Sequence, residues 1–142
     1  MYASAHHLAA SDRHVLVVVL DAVFPARMPG ADVLVVAPAL NSWLRRWVSD
    51  EDRARRRAGE RASAWVERIA RDGGHAEGHV GDADPLRAIA DALVTFPADE
   101  ILIAGLPTTT AEELASRTRE RFGLPTSLRR GPAVTPALRV TS

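Results

Sequence analysis

The chain has no cysteine, which excludes disulfides, thiolate metal sites and cysteine nucleophiles. It has no lysine: all 18 basic side chains are arginine. Lysine Schiff bases and the phosphate-gripping lysine of a P-loop are therefore excluded too. It has no excess of charge, because 18 Asp and Glu balance the 18 cations. Strong attraction to nucleic acid or to an anionic membrane is not expected of such a chain. It has no long hydrophobic run; the longest, residues 15–20, is far too short to span a bilayer. The opening MYASAHHLAASDR lacks the basic start and extended apolar stretch of a secretory signal, so a cytoplasmic location is expected.

At 142 residues, 46% of them hydrophobic, the chain can bury one core and is too short for two. Residues 15–20 (VLVVVL) and 33–37 (VLVVA) are continuous runs rich in β-branched side chains, the mark of strands buried on both faces. Residues 101–104 (ILIA), closed by Gly105, form a third. Residues 75–80 (HAEGHV) read as a weaker strand at a sheet edge, and 124–128 as one more short strand.

Three helices lie between these strands. The first is expected over about 49–72, capped by Ser49 with Asp52, with Ala54, Ala58, Ala62, Trp65 and Ile69 on its inward face and Gly73-Gly74 as its stop. The second runs over about 84–96, with Asp84 as cap, Pro85 at the first position, and Leu86, Ile89, Ala90 and Leu93 as its apolar stripe. The third runs over about 111–122, with Thr110 and Glu113 as a capping box and Ala111, Leu114, Ala115, Thr118 and Phe122 inward.

Alternating strands and helices define an α/β fold. The expected architecture has three layers: a mostly parallel sheet of four to five strands with helices on both faces. Its first crossover helix is shortened or missing. Only about a dozen residues, interrupted by Pro25 and Pro29, join the first two strands, whereas a parallel crossover normally takes that many or more. Three paths are open. The link is a helical stub, which is favoured; the two strands are antiparallel neighbours; or residues 14–27 are themselves helical. Residues 13–129 form the domain. Residues 1–12 read as a loose arm, and 130–142 as a disordered tail or a strand used in dimer pairing.

Several side chains have both a chemical and a structural reading. His6 and His7 are adjacent and do not converge on one face. His75 and His79 stand about 13 Å apart along a strand, too far for direct shared coordination. The arginines of the first helix (Arg53, Arg55, Arg56, Arg57, Arg61, Arg68 and Arg71) read as a solvated face, with Asp52–Arg56, Arg56–Glu60 and Glu67–Arg71 spaced to pair. Trp43 and Trp47, four apart, cap the sheet, line a pocket or sit in an interface.

The stretch ADVLVVAPALNSWLRRW, the Arg-rich helix after it, then HVGDADPLRAIADAL and ADEILIAG together resemble the universal stress protein superfamily. More narrowly they are similar to its short, single-domain actinobacterial branch. The similarity covers about residues 32–128 and is most telling from Gly81 to Gly105. It implies a five-stranded parallel sheet and a homodimer. Nucleotide-binding members carry a loop of Gly, two residues, Gly, nine residues, then Gly-Ser or Gly-Thr after the strand that here ends at Gly105. This chain has LPTTTAEELASRTRERF there, with no glycine. The family also carries an acidic residue at the end of its first strand, for which Asp21 is the candidate.

In an open parallel sheet, ligands bind beyond the carboxyl ends of the strands, where strand order reverses. That edge is expected to involve Asp21, Ala37, Gly81, Asp82, Gly105 and Thr108. The helix starts there carry their own carboxylates: Asp50, Glu51 and Asp52, then Asp82 and Asp84, then Glu112 and Glu113. These suit the helix dipole and repel a triphosphate. No set of metal ligands is visible, and no catalytic constellation. The expectation is a non-catalytic domain acting by dimerisation or partner binding, with ATP and AMP disfavoured as cofactors. The alternative is a module that keeps an adenine-sized pocket and holds phosphates weakly or through Mg²⁺. A hydrolase using acidic residues at the same edge is the third reading.

Overall fold

A strand whose every side chain is apolar needs cover on both faces, and residues 15–19 obtain it by lying at the centre of a sheet. The computed structural model describes residues 13–40 and 51–130. In chain order the elements are β1 (His14–Val19), β2 (Asp32–Pro38), α1 (Glu51–Arg71), β3 (His75–Gly81), α2 (Pro85–Thr95), β4 (Glu100–Gly105), α3 (Thr109–Phe122) and β5 (Thr126–Arg130). The five strands form one sheet in the order β3-β2-β1-β4-β5, and every neighbouring pair is parallel. The fold is a three-layer, Rossmann-like α/β domain. The arm at 1–12 with His6 and His7, Trp43, Trp47, the Ser49 cap and the tail from 131 lie outside the described residues. No helix among the described residues is long and apolar enough to cross a membrane.

Register gives each sheet face its own core. Val15 pairs with Val33 and Val17 with Val35, so these side chains share one face. They pack with Ala54, Ala58, Ala62, Trp65 and Ile69 of α1. All five expected inward positions of that helix are buried. On the opposite face Leu16 pairs with Ile101 and Val18 with Ile103, under Ala88, Ile89 and Ala92 of α2 and Ala111, Leu114 and Ala115 of α3. The buried stripe of α2 differs from the expected one. Ala88 and Ala92 join Ile89 in full burial, while Leu86 and Leu93 are half-buried at its margin. Close approach explains this. A β-carbon on Gly81 would stand 2.8 Å from Ala88 Cβ, so the helix meets the sheet through its smallest side chains. The edge position expected for residues 75–80 is the one β3 occupies.

The first link resolves among its three readings. β1 and β2 are parallel, and residues 14–19 are strand rather than helix. Residues 20–31 contain no helical turn, so the favoured stub is corrected: the crossover is irregular chain. Pro25 and Pro29 each remove a backbone donor that a helix would need. The link is nonetheless fixed. Val23 and Met28 are buried in the α1-side core, and Arg129 Nε of β5 donates to the Phe24 carbonyl at 3.0 Å. Its far end rests on the turn after α1, where Gly73 has φ +94° and Gly74 N donates to Ile69 O at 2.8 Å. A β-carbon on Gly74 would lie 2.6 Å from the Met28 carbonyl and 2.7 Å from Ile69 Cγ2.

Gly74→Ala therefore forces backbone apart and is expected to cost about 1–3 kcal/mol in urea unfolding. Val94→Ala, at a side chain 81% exposed, should stay within about 0.5 kcal/mol of the parent.

Candidate functional site

The chain passes from β1 to β2 to β3 on one side of the sheet and then crosses to β4 and β5 on the other. The strand order thus reverses between β1 and β4, and their carboxyl ends frame a crevice of the kind in which open parallel sheets bind ligands. Asp21 joins those ends. Leu20 N donates to Ala104 O at 2.8 Å, and Leu106 N donates to Asp21 Oδ2 at 2.9 Å. Gly105 permits the approach, since a β-carbon there would stand 3.2 Å from Asp21 Oδ2 and 3.5 Å from Leu20 Cβ.

Asp21 lines two cavities. The first, about 350 Å³, is the switch-point cleft on the α2 and α3 side, and its wall includes Leu40, Leu106, Thr108 and Thr110. Three carboxylates, Asp21, Asp84 and Glu113, line it against one guanidinium, Arg117. The helix N-termini beside it already hold oxygen atoms of their own. Asp84 Oδ1 accepts from Leu86 N at 3.1 Å, Asp82 Oδ1 accepts from Asp84 N at 2.9 Å, and Thr108 Oγ1 accepts from Ala111 N at 3.2 Å. An arriving anion would compete with each of these for the same donors. The second cavity, about 760 Å³, lies between the irregular link and α1.

The six sequence candidates do not form one site. Asp21, Gly105 and Thr108 meet at the switch point. Gly81 and Asp82 line a separate hollow of about 250 Å³ beside α2, with His79 and Asp91. Ala37 is fully buried in the α1-side core, and the chain reaches the cleft three residues later, at Leu40. The start of α3 also differs from expectation. Thr108 is its cap, and Thr110 lies within the first turn. Three successive threonines offer the same hydroxyl, and the choice falls on Thr108, which sits in extended backbone with its own N–H donating to Leu106 O at 2.7 Å.

The arginine face of α1 is solvated at five of its seven positions, and it departs from its reading in how it pairs. Arg53, Arg55, Arg56, Arg57 and Arg71 are exposed. None of the three expected carboxylate pairs is within 4 Å; the helix instead holds Arg68 Nε to Asp72 Oδ2 at 3.0 Å. Exposed pairs contribute too little to fix a geometry against side-chain entropy. Arg61 is half-buried, and its Nη2 donates to the Pro38 carbonyl at 2.8 Å. Burial lowers its pKa, the Asp21 carboxylate raises it, and Arg57 lowers it further; a guanidinium stays charged throughout. Among the described residues, the buried side-chain polar atoms without a hydrogen-bond partner are Arg61 Nε and Trp65 Nε1. Sequence reasoning missed both. The available signal was that Arg61 and Trp65 are one turn apart on a helix whose inward stripe includes Trp65.

The histidines lie elsewhere. His14, at the amino edge of the sheet, stands 3.7 Å from Asp32 and 3.4 Å from Asp99, and His75 stands 3.5 Å from Asp32. No group of three His, Cys, Asp or Glu among the described residues is placed to hold a metal ion. The fold is a doubly wound α/β domain with a cleft at its switch point. Compared with known proteins, the chain matches no family model and no curated protein.

Asp21→Ala leaves the Leu106 amide without its acceptor and is expected to cost about 1–3 kcal/mol in chemical denaturation, with faster amide exchange at Leu106. At α3, Thr108→Ala should cost about 0.5–2 kcal/mol and Thr110→Ala close to none, measured the same way.

Proposed function

We propose that this chain is a non-catalytic binding domain of the universal stress protein type, acting as a homodimer or through a protein partner, with no nucleoside triphosphate in its switch-point cleft. The charge of that cleft carries the reading. A polyphosphate needs backbone donors in a small-residue loop or a cluster of cations. Here Asp21, Asp84 and Glu113 line the space against Arg117, and the first turns of α2 and α3 donate to Asp84 and Thr108. The partner role is supported by the opposite sheet face. There Phe24 is 58% exposed, on the irregular link that stands where a first crossover helix would lie.

A second reading is favoured by the cleft itself. Its roughly 350 Å³, with Asp21 at one side and Leu40, Leu86 and Leu106 in its lining, suits an uncharged planar ligand of nucleoside size better than a nucleotide.

Thermal unfolding separates the readings. A ligand at one hundred times its Kd stabilises the native state by about 2.7 kcal/mol, which raises Tm by several degrees. Millimolar ATP with Mg²⁺ should leave Tm unchanged; in sedimentation of the chain alone a dimer points to self-association and a monomer to a protein partner. A rise with adenosine and none with ATP supports the second reading, and a rise with ATP refutes both.

A further inference from the structure

We infer that β3 is the surface through which two copies of this chain associate: the strands meet edge to edge and antiparallel, about a two-fold axis at Gly78. The inference rests on the homodimer reading above and names its interface.

The backbone supplies the first argument. β3 is an outer strand of the sheet and runs seven residues. His75 N donates to Ala31 O at 3.0 Å, and Gly81 O accepts from Ala39 N at 3.1 Å. The odd-numbered residues of β3 therefore direct their backbone groups to β2, in the register that runs from His75 with Asp32 to Gly81 with Pro38. Alternate residues of a strand turn these groups to opposite sides, so Ala76, Gly78 and Val80 point N–H and C=O away from the sheet. No strand among the described residues takes them. An antiparallel ladder is built from such alternate residues, in pairs that exchange both bonds. With the axis at Gly78 the pairs are Gly78 with Gly78, Ala76 with Val80 and Val80 with Ala76. One placement satisfies every outward group, and it is isologous, as a two-fold dimer requires.

The side chains select this strand's own copy. Glu77 and His79 are exposed on the face away from α1, with His79 Nε2 3.6 Å from Glu77 Oε2. The axis at Gly78 sets Glu77 of each copy across from His79 of the other, at the positions without hydrogen bonds, where side chains come closest. A carboxylate accepts from an imidazole N–H whether the ring is neutral or charged. His75 falls opposite Gly81, which has no side chain to oppose it. With the axis at Glu77 or at His79 instead, that residue would face its own copy, carboxylate on carboxylate or imidazole on imidazole. Charge and glycine make this margin a poor template for strands at large; its own antiparallel copy is the strand that answers its side chains.

The helix beside β3 leaves room for the second copy. A β-carbon on Gly78 would stand 3.0 Å from Val66 Cγ2, so α1 lies close over the margin. Edge-to-edge pairing brings the two α1 helices alongside each other on one face, antiparallel. Gly59, Ser63 and Val66, at spacings of four and three, line a groove of about 390 Å³ there with Gly78 and Val80. Glu67 is the charged α1 side chain in its lining, whereas Arg57, Arg61, Arg68 and Arg71 line the cavity beside the link. Helices pack at about 8–10 Å between axes, nearest where side chains are small.

Sedimentation of the full chain tests the assignment, with the Tm of each variant as the control for folding. The expected parent is a dimer. Glu77→Arg sets a guanidinium against the imidazole, and His79→Glu sets carboxylate against carboxylate, each twice across the axis. Either should weaken the dimer roughly tenfold, and the double variant should return to within about threefold of the parent. Ala76→Pro removes an outward N–H that β2 does not use, a change that edge strands tolerate, and should weaken the dimer by about tenfold or more. Exchange of the Ala76, Gly78 and Val80 amides should slow as concentration rises through the dimer Kd. A dimer that none of the variants weakens, or a double variant no tighter than the single ones, overturns the β3 interface and leaves the homodimer reading standing. A parent that sediments as a monomer overturns both and leaves the protein partner. Should Ala76→Pro fail to fold, the charge variants at two exposed side chains carry the test.

Discussion

The central strand needs cover on both faces, and the rest of the molecule is arranged around that requirement. Val15 to Val19 are all buried, and each such side chain contributes about 1.5–3 kcal/mol relative to exposure. One face is covered conventionally, by α2 and α3. The other is covered by α1 and by twelve residues of irregular chain that place Val23 and Met28 where helical side chains would otherwise stand. That unequal cover accounts for the two features with chemical interest. It holds Asp21 at the end of β1, where it joins β4 through Leu106. It also leaves space beside α1, with a half-buried arginine in its wall.

Much of the fold was legible because local pattern and global position agree. The VLVVVL run has no polar side chain to offer water and reads as a strand buried on both faces, and β1 lies at the centre of the sheet. The Ala54, Ala58, Ala62, Trp65, Ile69 stripe has helical spacing and small residues where the helix meets the sheet. HAEGHV alternates too weakly for an interior strand, and β3 lies at the edge. What was not legible depended on close approach rather than on pattern. The contact of Gly81 with Ala88 sets which residues of α2 are buried, and no periodicity reports a distance. The path of residues 20–31 is set by Arg129 from β5 and by the Met28 carbonyl against Gly74, partners more than forty residues away.

The site divides in the same way. Asp21, Gly105 and Thr108 were readable from the rule that places ligands at strand ends, and the structure brings them together. Ala37 satisfied the same rule and lies inside the core, because β2 continues to Pro38 before the chain turns out. Arg61 was hidden among six other arginines of its helix. Spacing marks all seven as solvated, and the acceptor that draws Arg61 inward, Pro38 O, lies on another element.

The strand order also bears on self-association of the chain. A β-branched run such as VLVVV, lacking proline and charge, is the kind of segment that seeds cross-β stacking when its backbone edge is free. Here both of its edges are consumed by β2 and β4. Among the described residues, the strands at the margins are HAEGHVG, with two histidines, a glutamate and two glycines, and TSLRR, which ends in two arginines. Charged and glycine-containing margins are poor templates for a further strand. Loss of either outer strand would uncover β2 or β4 and still leave β1 paired on both sides, so the most aggregation-prone segment is the last that partial opening would release.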